Sequence, residues 1–76
     1  MSIKMLDTVV LLKDLSSHGL KRGDIGAVVE TYSPEGIEVE FVTGSGRTQA
    51  LVTLKTDDVR PVGPTDILAI RQLDAA

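Results

Sequence analysis

Gly19-Leu20-Lys21-Arg22-Gly23-Asp24-Ile25-Gly26-Ala27-Val28-Val29 is the stretch on which the reading of this chain turns. A polar loop ends in a turn punctuated by glycine, and the chain then enters a β-branched strand. Gly23 and Gly26 sit three apart. Glycine at such positions lets a backbone bend sharply or lets another strand come close. The pattern predicts a small, strongly curved sheet, and it names no reaction.

Upstream of this stretch, residues 7–13 form a β-branched and aliphatic run bounded by Asp7 and Lys13. They read as a first strand. Their apolar residues are continuous, so both faces are expected to be covered. Residues 14–23 form the loop, with Ser16, Ser17 and Gly19 as turn formers and Leu15 and Leu20 as anchors onto the core. A loop of this length in a compact domain often carries function.

Downstream, residues 25–32 are the second strand and residues 33–36 a turn, with Pro34 presetting φ and Gly36 free to take a positive one. Ile37, Glu38, Val39, Glu40 and Phe41 then alternate. Period two turns Ile37, Val39 and Phe41 inward and Glu38 and Glu40 outward. Residues 43–46 make a second hairpin turn. In the fourth strand, residues 47–54, Ala50, Val52 and Leu54 share one face and Gln49, Leu51 and Thr53 the other. Residues 55–58 suffice for one helical or 3₁₀ turn, and residues 59–62 form a last short strand in which Pro61 suits an edge or an end.

These elements predict an all-β fold, a small five-stranded SH3-like, partly open barrel over residues 1–62. Pro61 and the outward glutamates would blunt its edges. Residues 63–76 are then a C-terminal extension. Thr65 or Asp66 is a candidate N-cap, and Ile67, Ile70 and Leu73 recur every three residues, which predicts a short C-terminal helix. Such a helix is too short to persist alone. It must pack on the barrel or join two chains as a homodimer through Ile67, Ile70 and Leu73.

Composition narrows the function classes. The chain has 76 residues, a net charge of −3 and no cysteine. Disulfides and thiolate metal sites are excluded. His18 is the single histidine, and no carboxylate spacing completes a metal site around it. No cofactor is implied. Tyr32 and Phe41 are the only aromatics, so Val, Ile and Leu must build the core. A sequence pI near 4.9 argues against nucleic acid, whose binders usually carry a basic face. No leader and no apolar run long enough to span a bilayer is expected, which points to a cytoplasmic protein without membrane contact.

Residues 5–15 and 19–30 together resemble a small bacterial family of unknown function, domain-of-unknown-function family 4926. The likeness continues through Val39-Glu40-Phe41, Gly46-Arg47-Thr48, Leu51-Val52-Thr53-Leu54 and Asp58-Val59-Arg60-Pro61-Val62. The resemblance implies a stand-alone domain of about this length and an antitoxin-like or accessory role beside other small proteins. It brings no catalytic residue. A second, shorter likeness is to the KOW motif of ribosomal and transcription-factor proteins, on Gly23-Asp24-Ile25-Gly26-Ala27-Val28-Val29. KOW domains are SH3-like and often touch RNA or protein. Glu30, Glu38 and Glu40 depart from that family's charge.

Each polar feature has a plain structural reading beside its functional one. His18 lies among serines with no nucleophile in view and reads as a surface loop residue. Gly44-Ser45-Gly46-Arg47-Thr48 lacks the spacing and the lysine of a phosphate loop and reads as a hairpin turn. Asp57 and Asp58 read as caps, and Tyr32 as a core-edge residue. Lys21 and Arg22 suit phosphate contact, with Asp24 placed to neutralise one of them. Glu38 and Glu40 read as a solvated face or a docking surface for a basic partner. The sequence therefore predicts a non-enzymatic protein-interaction module, with Lys21, Arg22, Asp24, Glu38, Glu40 and Arg47 as candidate binding residues. The alternative is a KOW-like RNA- or ribosome-binding module using Lys21, Arg22 and Arg47.

Overall fold

The computed structural model describes residues 3–73. Five strands form one open antiparallel sheet: β1 (Thr8–Leu11), β2 (Ile25–Tyr32), β3 (Gly36–Val42), β4 (Thr48–Lys55) and β5 (Val59–Pro61). Their order across the sheet is β4-β3-β2-β1-β5. Two 3₁₀ turns, Ser16–His18 and Thr56–Asp58, sit in the first loop and just before β5. No helix among the described residues is long and apolar enough to cross a membrane.

Alternation decides which side chains form the core. In β3, Ile37, Val39 and Phe41 are buried while Glu38 and Glu40 stay half-exposed. In β4, Ala50 and Leu54 are buried and Val52 packs beside them. Leu51 faces outward on the same strand and is 54% exposed. β1 differs from expectation. Its apolar run suggested cover on both faces, yet only Val9 and Leu11 are fully buried, and Val10 is intermediate. One face of β1 meets the core, and the other keeps partial access to water. Leu20 reaches back from the loop into the core, with Leu15 packed against it.

The glycines do what their spacing suggested. Gly23 takes φ +96°, a left-handed backbone that a β-branched residue would resist. At Gly26 a Cβ would lie 2.6 Å from Cγ1 of Val39 and 2.9 Å from Cε2 of Phe41. The missing side chain lets β2 carry the β3 side chains directly over its backbone. Register slips between Val28 and Glu30, where β2 pairs with β3, which adds the local bend of a β-bulge. Pro61 sits at the end of the edge strand β5, opposite Val9, where a missing donor costs the ladder little.

The expected C-terminal helix is absent: residues 63–73 carry no helix and no strand. Of the three residues in that recurrence, Ile67 and Ile70 are 92% and 98% exposed and gain no packing, while Leu73 is 40% exposed. Asp66, a candidate N-cap, turns backward instead. Its carboxylate accepts the Gly63 amide at 2.6 Å and a two-pronged contact from Arg60 at 2.8 and 2.9 Å. Further on, Arg71 is held by Asp24. Two ion pairs fix this path, and a helix this short has no packing energy with which to compete. Residues 74–76 of the expected extension, like residues 1–2, lie outside the described residues.

Candidate interaction surface

A groove of about 560 Å³ opens where the first loop meets the 33–36 turn. Leu15, Ser17 and His18 come from the loop and Glu35 from the turn, while Thr53 and Lys55 come from β4. The 3₁₀ turn Thr56–Asp58 ties both sides together. Its Thr56 amide donates to the Glu35 carbonyl at 2.9 Å, and its Asp58 carbonyl accepts the Leu12 amide at 2.9 Å. Asp58 also caps this turn, as expected, by accepting the Lys55 amide at 3.0 Å. It pairs with Lys13 at 3.2 Å. Burial pushes the Asp58 carboxyl up, but the Lys55 amide and the Lys13 ammonium outweigh it and hold it below its ordinary value.

The acidic face adjoins this groove. Glu38 lies opposite Thr53, and the threonine hydroxyl donates to its carboxylate at 2.5 Å. Thr48 does the same for Glu40 at 2.6 Å. Glu30 pairs across the sheet with Glu38, so two acidic residues occupy partnered positions of the ladder. Such a like-charge pair is unfavourable unless something neutralises it. Tyr32, an exposed residue at the end of β2, feels the same field. Partial burial, the charges of Glu38 and Glu30 and a hydrogen bond with Glu38 raise its phenol above the ordinary range. Among the described residues, no three carboxylate or histidine groups converge as a metal cage.

The basic candidates lie elsewhere. The Lys21 amide donates to Asp24 at 2.8 Å and the Arg22 amide to Asp14 at 2.9 Å, so both carboxylates are tied to the loop backbone. The ion pair that Asp24 makes is with Arg71 and not with the side chain of Lys21 or Arg22. Arg71, which no local sequence signal places here, donates to Asp24 from Nε and Nη2 at 2.7 and 2.6 Å. Burial pushes the Asp24 carboxyl up, while the hydrogen bond from Arg71, the Lys21 amide and the charges of both residues pull it below its ordinary value. Arg47 closes the 43–47 turn, where its carbonyl accepts the Thr43 amide at 2.9 Å. This turn and the end of the first loop border a second cleft, through Thr43, Gly44, Gly23 and Asp24. Lys21, Arg22 and Asp24 thus gather at one end of the sheet, and Glu38 and Glu40 on its outer face. His18 is exposed in its 3₁₀ turn, and its carbonyl accepts the Gln49 side chain at 3.1 Å.

Residues 5–61 match the family model described as "Domain of unknown function (DUF4926)". Neither the curated proteins nor the solved structures give a match.

Proposed function

We propose that this chain, which belongs to the DUF4926 family over residues 5–61, is a non-enzymatic protein-interaction module. In this reading it is the small partner, antitoxin-like or accessory, of a neighbouring-gene product. One observation carries the reading: groove and acidic face form one continuous surface. Thr53 joins them, since it lines the groove and donates to Glu38. That surface fits a protein segment that lays an apolar side chain against Leu15 and Val52 and sets a Lys or Arg between Glu38 and Glu40. Opposite charge gives such an encounter its orientation and rate. A basic side chain would also relieve the Glu30–Glu38 repulsion.

The same elements suit a barrel. A long first loop, a 3₁₀ turn before the last strand, and β1 between β2 and β5 support an SH3-like, partly open barrel. SH3 domains take Pro-rich peptides in aromatic-lined grooves, whereas this groove has no Phe, Tyr or Trp lining among the described residues and would hold its occupant by aliphatic contact and charge. Fold likeness alone assigns no function, so the weight rests on the surface.

Co-expression with the adjacent gene's product tests the reading. The two proteins are expected to co-purify, and a Glu38→Lys/Glu40→Lys variant to lose the partner while keeping the fold. Failure to co-purify, or a charge-reversed variant that binds as well as the parent, overturns it. Recovery of RNA in place of protein, lost on neutralising Lys21, Arg22 and Arg47, would replace it with the KOW-like alternative, whose binding falls steeply with salt.

A further inference from the structure

Residues 67–70 are held at both ends and packed at neither. On one side Arg60 grips Asp66. On the other, Arg71 grips Asp24 and also donates to the Gly19 carbonyl at 2.9 Å. Between the two latches, Ile67, Leu68 and Ile70 are 92%, 66% and 98% exposed. No main-chain hydrogen bond joins residues 67–70 to another described residue. An aliphatic segment so presented is unusual, since hydrophobic side chains left in water gain nothing from folding.

Beside this segment lies the second cleft, of about 720 Å³, floored by Leu20, Ile25 and Phe41. Val42, Ile70 and Leu73 stand around it, and residues 69–73 of the chain's own tail border it. An apolar knob and an apolar hole are therefore neighbours on one patch.

From this arrangement we infer that the chain forms a two-fold homodimer in which the 67–70 segment of each copy seats in the cleft of the other. A knob and a hole on the same patch can satisfy each other twice only about a two-fold axis. The charges permit it, because each latch pairs a cation with an anion and a like-charged copy meets little repulsion there. The area suits a weak, reversible dimer. Val42, Ile67, Leu68, Ile70 and Leu73 offer on the order of 400 Å² of apolar surface per copy. A standard interface takes about 800 Å² per partner, roughly 65% of it apolar in homodimers. The cleft floor adds little, because Leu20 and Phe41 are already 3% and 2% exposed, so the dimer is expected to be weak and concentration-dependent. Latching the segment in advance lowers the ordering cost of association. This surface is distinct from the groove and acidic face, so dimerisation and partner binding are separable.

Sedimentation equilibrium of the full chain across micromolar to millimolar concentration tests the inference. The parent chain is expected to approach twice its 8.1 kDa mass as concentration rises. Ile67→Asp/Ile70→Asp should weaken the dimer by at least roughly 100-fold, since two aliphatic side chains per copy lose their burial. Both positions are exposed, so an unchanged circular dichroism spectrum is expected of that variant. Leu51→Asp, on the outer face of β4, should leave the dimer intact. A parent chain that stays monomeric throughout overturns the inference, as does a double variant that associates as tightly as the parent, or a Leu51→Asp variant that is monomeric.

Discussion

Arg71 holds Asp24 with two prongs of its guanidinium, Nε at 2.7 Å from Oδ1 and Nη2 at 2.6 Å from Oδ2, across 47 positions of sequence. The same Nη2 reaches the Gly19 carbonyl at 2.9 Å. One side chain thereby fastens the C-terminal segment to the start and the middle of the glycine-rich stretch that launches β2. Two-pronged arginine–carboxylate contacts are directional as well as attractive, so this one sets the path of the tail.

The latch should be visible as a pH-dependent stability difference. Asp24 is held below its ordinary value in the folded chain. A depressed carboxylate stabilises the fold above its unfolded value and ceases to do so as pH falls through its folded value. Asp24→Asn is therefore expected to cost about 1 kcal/mol at pH 7. The gap between parent and variant should close as the pH is taken below the ordinary carboxylate range. Urea denaturation at a series of pH values measures it, and a gap that persists unchanged at pH 2.5 would contradict the assignment.

The second latch makes a sharper spectroscopic statement. The Arg60 hydrogen bond, followed by the Gly63 amide, lowers Asp66 to about 2. Its contribution is complete above 3.8 and fades as pH falls toward 2. A carboxyl-carbon titration by NMR should place the Asp66 midpoint near 2, and Arg60→Gln should return it toward the ordinary aspartate value. A midpoint near 3.8 in the parent chain would mean that Arg60 does not hold Asp66 in solution.

These two pairs also explain where the sequence was legible and where it was not. Strand positions could be read because alternation and turn residues are local signals. Ile37, Val39 and Phe41 are buried, and Glu38 and Glu40 face out, as period two requires. The outward glutamates are therefore legible from the sequence alone. That they join a groove was not readable, because it depends on Glu38 standing opposite Thr53, and a bulge in β2 alters the neighbouring register. The tail misled for the converse reason. Ile67, Ile70 and Leu73 have helical spacing, but the partners that fix their path are Arg60 and Asp24, one six positions from Asp66 and the other on the far side of the chain. Local periodicity carries no trace of either.

Leu6 offers a test of backbone strain. It takes φ +72°, in a left-handed region that leucine resists, and its side chain is 80% exposed. The surrounding turn is well tied, with the Leu6 amide on the Val28 carbonyl at 2.7 Å and the Lys4 amide on Asp7 at 2.8 Å. A left-handed non-glycine residue costs roughly 1–2 kcal/mol, and glycine's extra freedom when unfolded costs roughly 0.5–1 kcal/mol in return. Leu6→Gly should therefore stabilise the fold by about 0.5 kcal/mol, read as a raised urea midpoint. Destabilisation by the same amount would show that the leucine side chain makes a contact of value.

Gly26 tests the close approach that the glycine spacing first suggested. Any Cβ there meets Cγ1 of Val39 at 2.6 Å and Cε2 of Phe41 at 2.9 Å, and both of those residues are buried in the core. Neither is a flexible surface chain that can swing aside, so β2 and β3 must separate or the core must repack. Overpacking of this kind costs about 1–3 kcal/mol. Gly26→Ala should lower the urea midpoint with little change in slope, the mark of lost stability without a change of fold. Val39→Ala removes one of the two clashing atoms, so the double variant should be more stable than the sum of its single losses, a coupling expected of residues in contact. Strict additivity, or a Gly26→Ala variant within about 0.5 kcal/mol of the parent, would show that the two strands do not approach through this glycine.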